Sequence, residues 1–372
     1  MSSLRGIAGG LIVAVAVSLL AAAPPAAAKP FSPGKNRAFH GVSDTGHVED
    51  FRTFKKQVRA HPALLQMFFH WGVPLRSSGA LHRWSATNTR GVLSLSTAPG
   101  DGQEVITPKQ IAGGHGDHYI LRLKQTIANA EQTVYIRLLP EMNGHWNPYS
   151  AFNADGSRRK GEGKSTRAFK RAWRRFAIII RGRSRKQINR RLTSRGMPRI
   201  HRVAKGNAER YRQLGVPPVL ERPRVALMWV PQTFGSPNVR GNQPRNYWPG
   251  RKFVDWVGAD IYSKWASPGV WSALNRFFRN HRWRGLPFVI GEYSPYDNDH
   301  SGAFVRKLFR WERSRRRAKM LLYYRSVTAG NPHNIQHYPG ARKVLRRQLR
   351  RQHYRRFAPG VRNVPYEPPP GS

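Results

Sequence analysis

The chain of 372 residues contains no cysteine. That absence excludes a disulfide scaffold, thiol catalysis, cysteine-type zinc sites and iron–sulfur clusters. Acidic residues are scarce: 19 Asp and Glu stand against 65 Lys and Arg, a formal charge of +46. Such an excess attracts polyanions (nucleic acid, anionic lipid, acidic wall polymer) without naming a function. No Gly-rich phosphate loop follows an early strand, which counts against a doubly wound nucleotide-binding sheet. No Gly-x-Ser-x-Gly elbow occurs, so a serine hydrolase has no anchor. Beyond the N-terminus, no apolar run approaches the ~18 residues that a membrane span requires.

What is present fits a large folded body. Hydrophobic residues make up 39% of the chain, with 11 Trp, 17 Phe and 13 Tyr. They argue against disorder despite a mean hydropathy of -0.60. Arg5 precedes an apolar run over 7–23, followed by Pro24, Pro25 and Ala26-Ala27-Ala28. These are the parts of a secretory signal peptide, so 1–28 is expected to be removed and the protein exported. Removal takes one arginine and no acid, leaving +45. Export argues against a nucleic-acid partner and leaves no membrane span.

From residue 39 onward, short apolar runs alternate with helical patterns. Strands are expected at 39–42, 64–69, 91–96, 133–139, 225–230, 256–261, 288–291 and 319–324. Several are apolar over most of their length, as strands buried on both faces should be. Helices are expected at 120–130, at 166–180 with Ser165 as N-cap, and at 301–314. Eight strands separated by helices read as one (β/α)8 barrel. It would occupy 29–358, followed by a Pro-rich tail over 359–372. The segment 157–222 holds 22 Lys and Arg against three acids, and 183–221 reads as a basic insertion. The stretch 342–356 adds eight basic residues and no acid. Both are either solvated surface or a contact face for an anionic polymer.

With only 19 carboxylates in the chain, those at strand ends stand out. Glu141 follows the fourth strand and Glu292 the seventh. In a parallel barrel these ends converge at one mouth, where active sites lie. Two carboxylates facing each other there suit glycoside hydrolysis: one protonates the leaving oxygen while the other attacks the anomeric carbon. Asn143 and Trp146 follow Glu141, where a polar contact and an aromatic platform would hold a sugar. His70 and Trp71 end the second strand, and Tyr324 the eighth. Trp229 and Trp256 read as packing residues. Asp255 should pair with an arginine, and Asp260 should lie near the mouth. His115 and His118 flank Asp117 without a third placed ligand, so no metal or cofactor is expected. Arginines around Glu141 would lower its pKa, so burial or repulsion from Glu292 must offset them for it to act as an acid.

The segment Arg137-Leu-Leu-Pro-Glu141-Met-Asn-Gly-His-Trp146 resembles the acid/base segment of glycoside hydrolase family 26. That family reads Arg-Pro-x-His-Glu-Met-Asn-Gly-x-Trp there. Gly113-Gly-His-Gly-Asp117 is similar to the family's Gly-x-x-Asp helix start. Phe253-Val-Asp-Trp-Val-Gly-Ala-Asp260-Ile-Tyr262 resembles its sixth strand, and Pro287-Phe-Val-Ile-Gly-Glu292 its nucleophile strand. The resemblance covers about 41–324. It implies a retaining β-glycanase, usually acting on β-mannan, with Glu141 as acid/base and Glu292 as nucleophile. It further implies that Tyr262 supports the nucleophile. Two positions depart from the pattern: Pro140 stands where the family has His, and Tyr324 where it commonly has Trp. These readings describe a secreted monomer acting on polysaccharide. A catalytically silent barrel binding anionic polymers is the alternative.

Overall fold

The computed structural model describes residues 31–100, 102–161, 163–200, 221–326 and 332–360. The expected signal peptide, residues 201–220 of the basic insertion and 361–372 of the tail lie outside the described residues. Eight strands form a closed parallel barrel: β1 (Ala38–Ser43), β2 (Leu64–His70), β3 (Arg90–Ser96), β4 (Val134–Leu138), β5 (Val225–Trp229), β6 (Trp256–Tyr262), β7 (Phe288–Ser294) and β8 (Ala318–Tyr323). They pair in chain order, and β8 closes on β1. A short β9 (Tyr354–Arg355) adds to the start of β1.

The helices cover the barrel outside: α1 (Val48–Val58), α2 (Ala80–Ala86), α3 (Pro108–Gly113), α4 (Asp117–Asn129), α5 (Thr166–Arg181), α6 (Arg185–Thr193), α7 (Pro244–Tyr247), α8 (Pro268–Arg279), α9 (Ala303–Arg313) and α10 (Pro339–Leu349). α5 shows why these residues become helices. The Ser165 hydroxyl accepts from the Ala168 amide at 3.0 Å, satisfying a first-turn donor. Phe169, Ala172, Trp173, Phe176 and Ile180 then form one buried stripe at helical spacing.

The basic segment after α5 departs from the expectation of a bare excursion. Residues 185–193 form α6, with Ile188 and Leu192 buried one turn apart. Gly182 permits this tight packing, because a Cβ there would lie 2.1 Å from Ile188 Cγ1. Likewise 342–356 is less a tail than the body of α10 and β9. One or two apolar residues per turn suffice to seat these helices, a signal diluted by the surrounding arginines.

Period-two alternation builds two cores. Phe39, Leu64, Val92, Tyr135, Ala226, Met228, Trp256, Val289 and Met320 fill the barrel interior. Their neighbours, such as Val42, Leu65, Leu93, Ile136, Leu227, Val257 and Ile290, pack outward on the helices. The same parity decides which side chains reach the mouth: Phe68 follows Leu64 and Gln66, Arg137 follows Tyr135, and Asp260 and Tyr262 follow Trp256.

Candidate active site

β7 holds the main surprise of the mouth. Glu292 was expected beyond a strand ending at 291, yet the strand runs on to Ser294. Against β6, Ala259 pairs with Ile290 and Ile261 with Tyr293; against β8, Leu321 pairs with Ile290 and Tyr323 with Tyr293. On both sides β7 spends three residues where its neighbour spends two. This is a bulge at Gly291-Glu292, a device that re-aims a side chain. Tyr293 stays in the outer core while Glu292 turns toward the mouth. Gly291 has to be glycine, since a Cβ there would sit 2.7 Å from Asp260 Oδ1 and 2.8 Å from Val230.

Glu141 is aimed by a different device. After β4 the chain turns through Leu139 and Glu141, both left-handed at φ 44 and 49. Non-glycine residues adopt this conformation only when their surroundings enforce it, at about 1–3 kcal/mol each. The Leu139 amide donates to Leu95 O and the Glu141 amide to Val230 O, each at 2.8 Å. Tyr149 Oη donates to Pro140 O at 2.6 Å. Proline contributes no donor of its own at the position where the family has His, but its carbonyl is used.

The rest of the Glu-Met-Asn-Gly-x-Trp motif follows from packing. Asn143 is buried; its Nδ2 donates to Gln232 O and Phe234 O, and its Oδ1 accepts from the Gln232 amide. It therefore staples the β4 loop to the β5 loop rather than facing the mouth. Gly144 lets the Trp146 indole lie on the backbone, where a Cβ would come within 2.4 Å. The Trp146 Nε1 then donates to Glu141 Oε2 at 3.0 Å. Gln232 Nε2 reaches the other oxygen, Oε1.

Arg137 is the hub that joins the two strand ends. It is fully buried, giving one N–H to Glu292 Oε1 and another to Asp260 Oδ2. The second oxygen of Glu292 accepts from Tyr262 Oη. Burial, then the charge of Glu292, raises the Glu141 pKa, against the opposing effects of Asp260, Arg137 and Trp146. Asp260 is raised strongly by burial, against the pull of Arg137. Burial and the nearby carboxylates also push the Tyr262 phenol well up, so it stays a donor. The balance at Glu141 thus goes to burial and Glu292, which outweigh the opposing pull of Arg137.

The remaining residues separate clearly. Tyr324 lines the mouth, edge-on to Phe68 at 5.8 Å and Tyr262 at 6.0 Å. His70 is half-buried at the end of β2, its Nδ1 on Trp71 O. Trp71 is buried in the helical layer against Tyr119 and Phe176, away from the mouth. It turns outward because it follows His70 by one residue, which reverses the face. Trp229 and Trp256 are buried, and Asp255 pairs with Arg181 at 2.5 Å. Asp117 is held by Arg175. Among the described residues no group of three His, Asp and Glu is placed to hold a metal.

Several mouth residues escaped sequence reasoning. Phe68, Trp265 and Phe234 are 46%, 56% and 38% exposed, and with Trp146 at 52% they make up most of the large exposed apolar side chains described. Trp265 stands edge-on to Tyr262 at 5.8 Å. Strand parity would have found Phe68, and an arginine at an inward position of an apolar strand would have marked Arg137. Gln232 and Phe234 lie in a loop and Trp265 in a short 3-10 turn, where strand parity says nothing.

No protein-family model matches the sequence, and no curated protein matches it. Solved structures do match by fold. An endo-β-1,4-mannanase double mutant from Cellulomonas fimi aligns with a TM-score of 0.55 at 13% identity, covering 88% of this chain and 74% of that one. The catalytic domain of the family 26 endo-β-1,4-mannanase from Bacillus sp. JAMB-750 gives 0.54 at 11% identity, covering 87% and 89%. The Bacillus subtilis mannanase gives 0.50 at 15% identity, covering 90% and 91%. The chain has the (β/α)8 fold of the glycoside hydrolase family 26 mannanases.

Proposed function

We propose that the protein is an exported retaining β-glycoside hydrolase acting on a β-linked polysaccharide, β-mannan or a related glycan. The observation that carries this reading is the unequal setting of two glutamates in one mouth. Glu292 faces two donors, the Arg137 guanidinium and the Tyr262 hydroxyl, which suits an attacking carboxylate. Glu141 has a raised pKa, which suits a proton donor. Glu141 gives its proton to the glycosidic oxygen as Glu292 attacks the anomeric carbon, forming a glycosyl ester and releasing the leaving sugar. Glu141, now ionised, takes a proton from water as the water oxygen attacks the anomeric carbon, breaking its bond to Glu292 and restoring that carboxylate. Arg137 and Tyr262 hold Glu292 in line through both steps. Phe68, Trp146, Phe234 and Trp265 offer ring faces along the rim for sugar stacking. The fold likeness to endo-β-1,4-mannanases supports the choice of mannan as first substrate.

The test is reducing-sugar release from mannan, glucomannan, mixed-linkage glucan and xylan. Glu292→Gln should lower release by about 10³-fold or more while sugar binding persists. Full activity in that variant would end the assignment. Export belongs to the same proposal: secreted material should begin at Lys29, and an intact N-terminus would refute the cleavage.

A further inference from the structure

One part of the cationic exterior differs from the rest. α10 buries Ala341, Val344, Leu345, Gln348 and Leu349. Every other side chain from 342 to 351 is basic: Arg342, Lys343, Arg346, Arg347, Arg350 and Arg351. Helical spacing sets like charges four residues apart along this face, an arrangement that destabilises a helix. The last turn of α1 adds Lys55 and Lys56, followed by Arg59. Arg346 Nε donates to Gln57 O at 2.6 Å, clasping the two helices together. Slight desolvation and the neighbouring Arg59, Arg342 and Arg350 lower the Arg346 pKa, which shows how closely the guanidiniums crowd.

The carboxylates nearby are already engaged. Glu312 accepts from His353 at 2.8 Å and from Tyr354 Oη at 2.7 Å. Glu49 pairs with Arg52 at the far end of α1. Among the described residues no ion pair reaches Arg59, Arg342, Lys343, Arg346 or Arg350. At the edge of the patch Phe357 is half exposed, its ring 4.6 Å from that of His61. His61 in turn sits on Arg356 O at 3.1 Å. Location matters as well. α1 ends just before β2 begins, and β9 joins β1 at Ala38. The patch therefore gathers toward the N-terminal end of the barrel, opposite the mouth that holds Glu141 and Glu292.

We infer that this face is a docking site for an acidic polysaccharide, a chain of sugar rings bearing carboxylates. The guanidinium forks match carboxylates two bonds at a time. The stripe from 342 to 350 is about 12 Å long at the helical rise, so it follows a linear polymer rather than a single ion. Phe357 supplies the flat apolar face on which a sugar ring stacks, a feature that a purely electrostatic surface does not need. Docking at this end leaves the mouth open, so the site needs no residue of the proposed hydrolase and stands whether or not that reading holds.

The experiment is retention of the full chain on immobilised polygalacturonate. Arg59→Gln/Arg342→Gln/Lys343→Gln/Arg350→Gln leaves Arg346 and its bond to Gln57 in place. The control, Arg183→Gln/Lys186→Gln/Arg190→Gln/Arg191→Gln, removes the same charge from exposed positions at α6. At about 0.15 M salt the patch variant should bind ~10-fold weaker or worse, and the control within about 2-fold. Equal losses in both would overturn the inference in favour of diffuse charge. Phe357→Ala should weaken retention on polygalacturonate but not on polyacrylate, which has carboxylates without rings; equal effects on both would also overturn it. Duplex DNA that competes as well as polygalacturonate, charge for charge, would reassign the face to nucleic acid. Arg350→Glu alone, at an exposed position, repeats the test should the quadruple variant fail to fold.

Discussion

Arg137 and Arg175 are both fully buried, and the difference between their surroundings separates architecture from chemistry. Arg175 lies in the helical layer and faces one carboxylate. Its Nε and one terminal nitrogen grip Asp117 at 2.7 and 2.5 Å, and the other terminal nitrogen donates to Pro198 O at 2.8 Å. Charge is balanced and α5 is braced to the start of α4. Arg137 lies in the mouth and answers to three carboxyls: it bonds Asp260 and Glu292, and Glu141 is the third. One cation cannot balance three buried carboxylates, and burial raises the pKa values of Glu141 and Asp260 against its pull. Under the proposed hydrolase reading, this surplus of acid over base, held in place by strain at Glu141 and a bulge at Glu292, supplies the proton for the leaving oxygen.

This contrast can be broken on either side. The largest effect is expected at Glu141→Gln, which removes the transferable proton while keeping the shape. Hydrolysis of a polysaccharide should fall by about 10²–10⁴-fold, and far less for an aryl glycoside whose leaving group needs no acid. Kinetics on the two substrate types check this, and equal losses would count against an acid role.

Arg175→Met should act on stability instead. Leaving Asp117 buried without its partner should cost about 3–5 kcal/mol, measured by denaturant unfolding, with activity per folded molecule retained. A loss of activity without a loss of stability would erase the distinction between the two arginines.

A pH effect comes next. Glu141 and Asp260 have folded-state pKa values raised above the ordinary carboxylate range. The native state then binds more protons than the unfolded chain between the ordinary and the raised values, so stability declines as pH rises through that window. Thermal midpoints measured upward from about pH 4 should show the decline, and Asp260→Asn should flatten it. An unchanged slope would place the surplus proton elsewhere. The smallest effect is expected at the rim. Trp265→Ala should raise KM by a few-fold, about 1 kcal/mol, with kcat little changed, as steady-state kinetics would show.

Much of the barrel is legible in the sequence. The eight strands were readable because strands buried on both faces leave continuous apolar runs. Ser165 was readable as a cap because the unpaired first-turn amides of a helix call for a side-chain oxygen. Glu141 and Glu292 stood out because acids are rare in so basic a chain. Proximity in sequence points Trp71 and Asn143 to the mouth, yet one turns into the helical layer and the other staples two loops. In a strand one residue reverses the face, and in a loop a side-chain amide serves whichever backbone groups lack partners.

Local periodicity specifies the alternation of strand and helix, and with it the barrel, because it survives even in a chain this rich in arginine. The sequence also specifies which two glutamates follow the fourth and seventh runs of apolar residues. What those glutamates face emerges from the folded barrel alone. Asp260, Tyr262 and Gln232 converge on them from two other parts of the chain, Arg137 reaches across from β4 to Glu292, and the β7 bulge shows itself only in its pairing with two neighbours. Charge balance in a buried site is a sum over groups distant in sequence, and no local pattern records that sum.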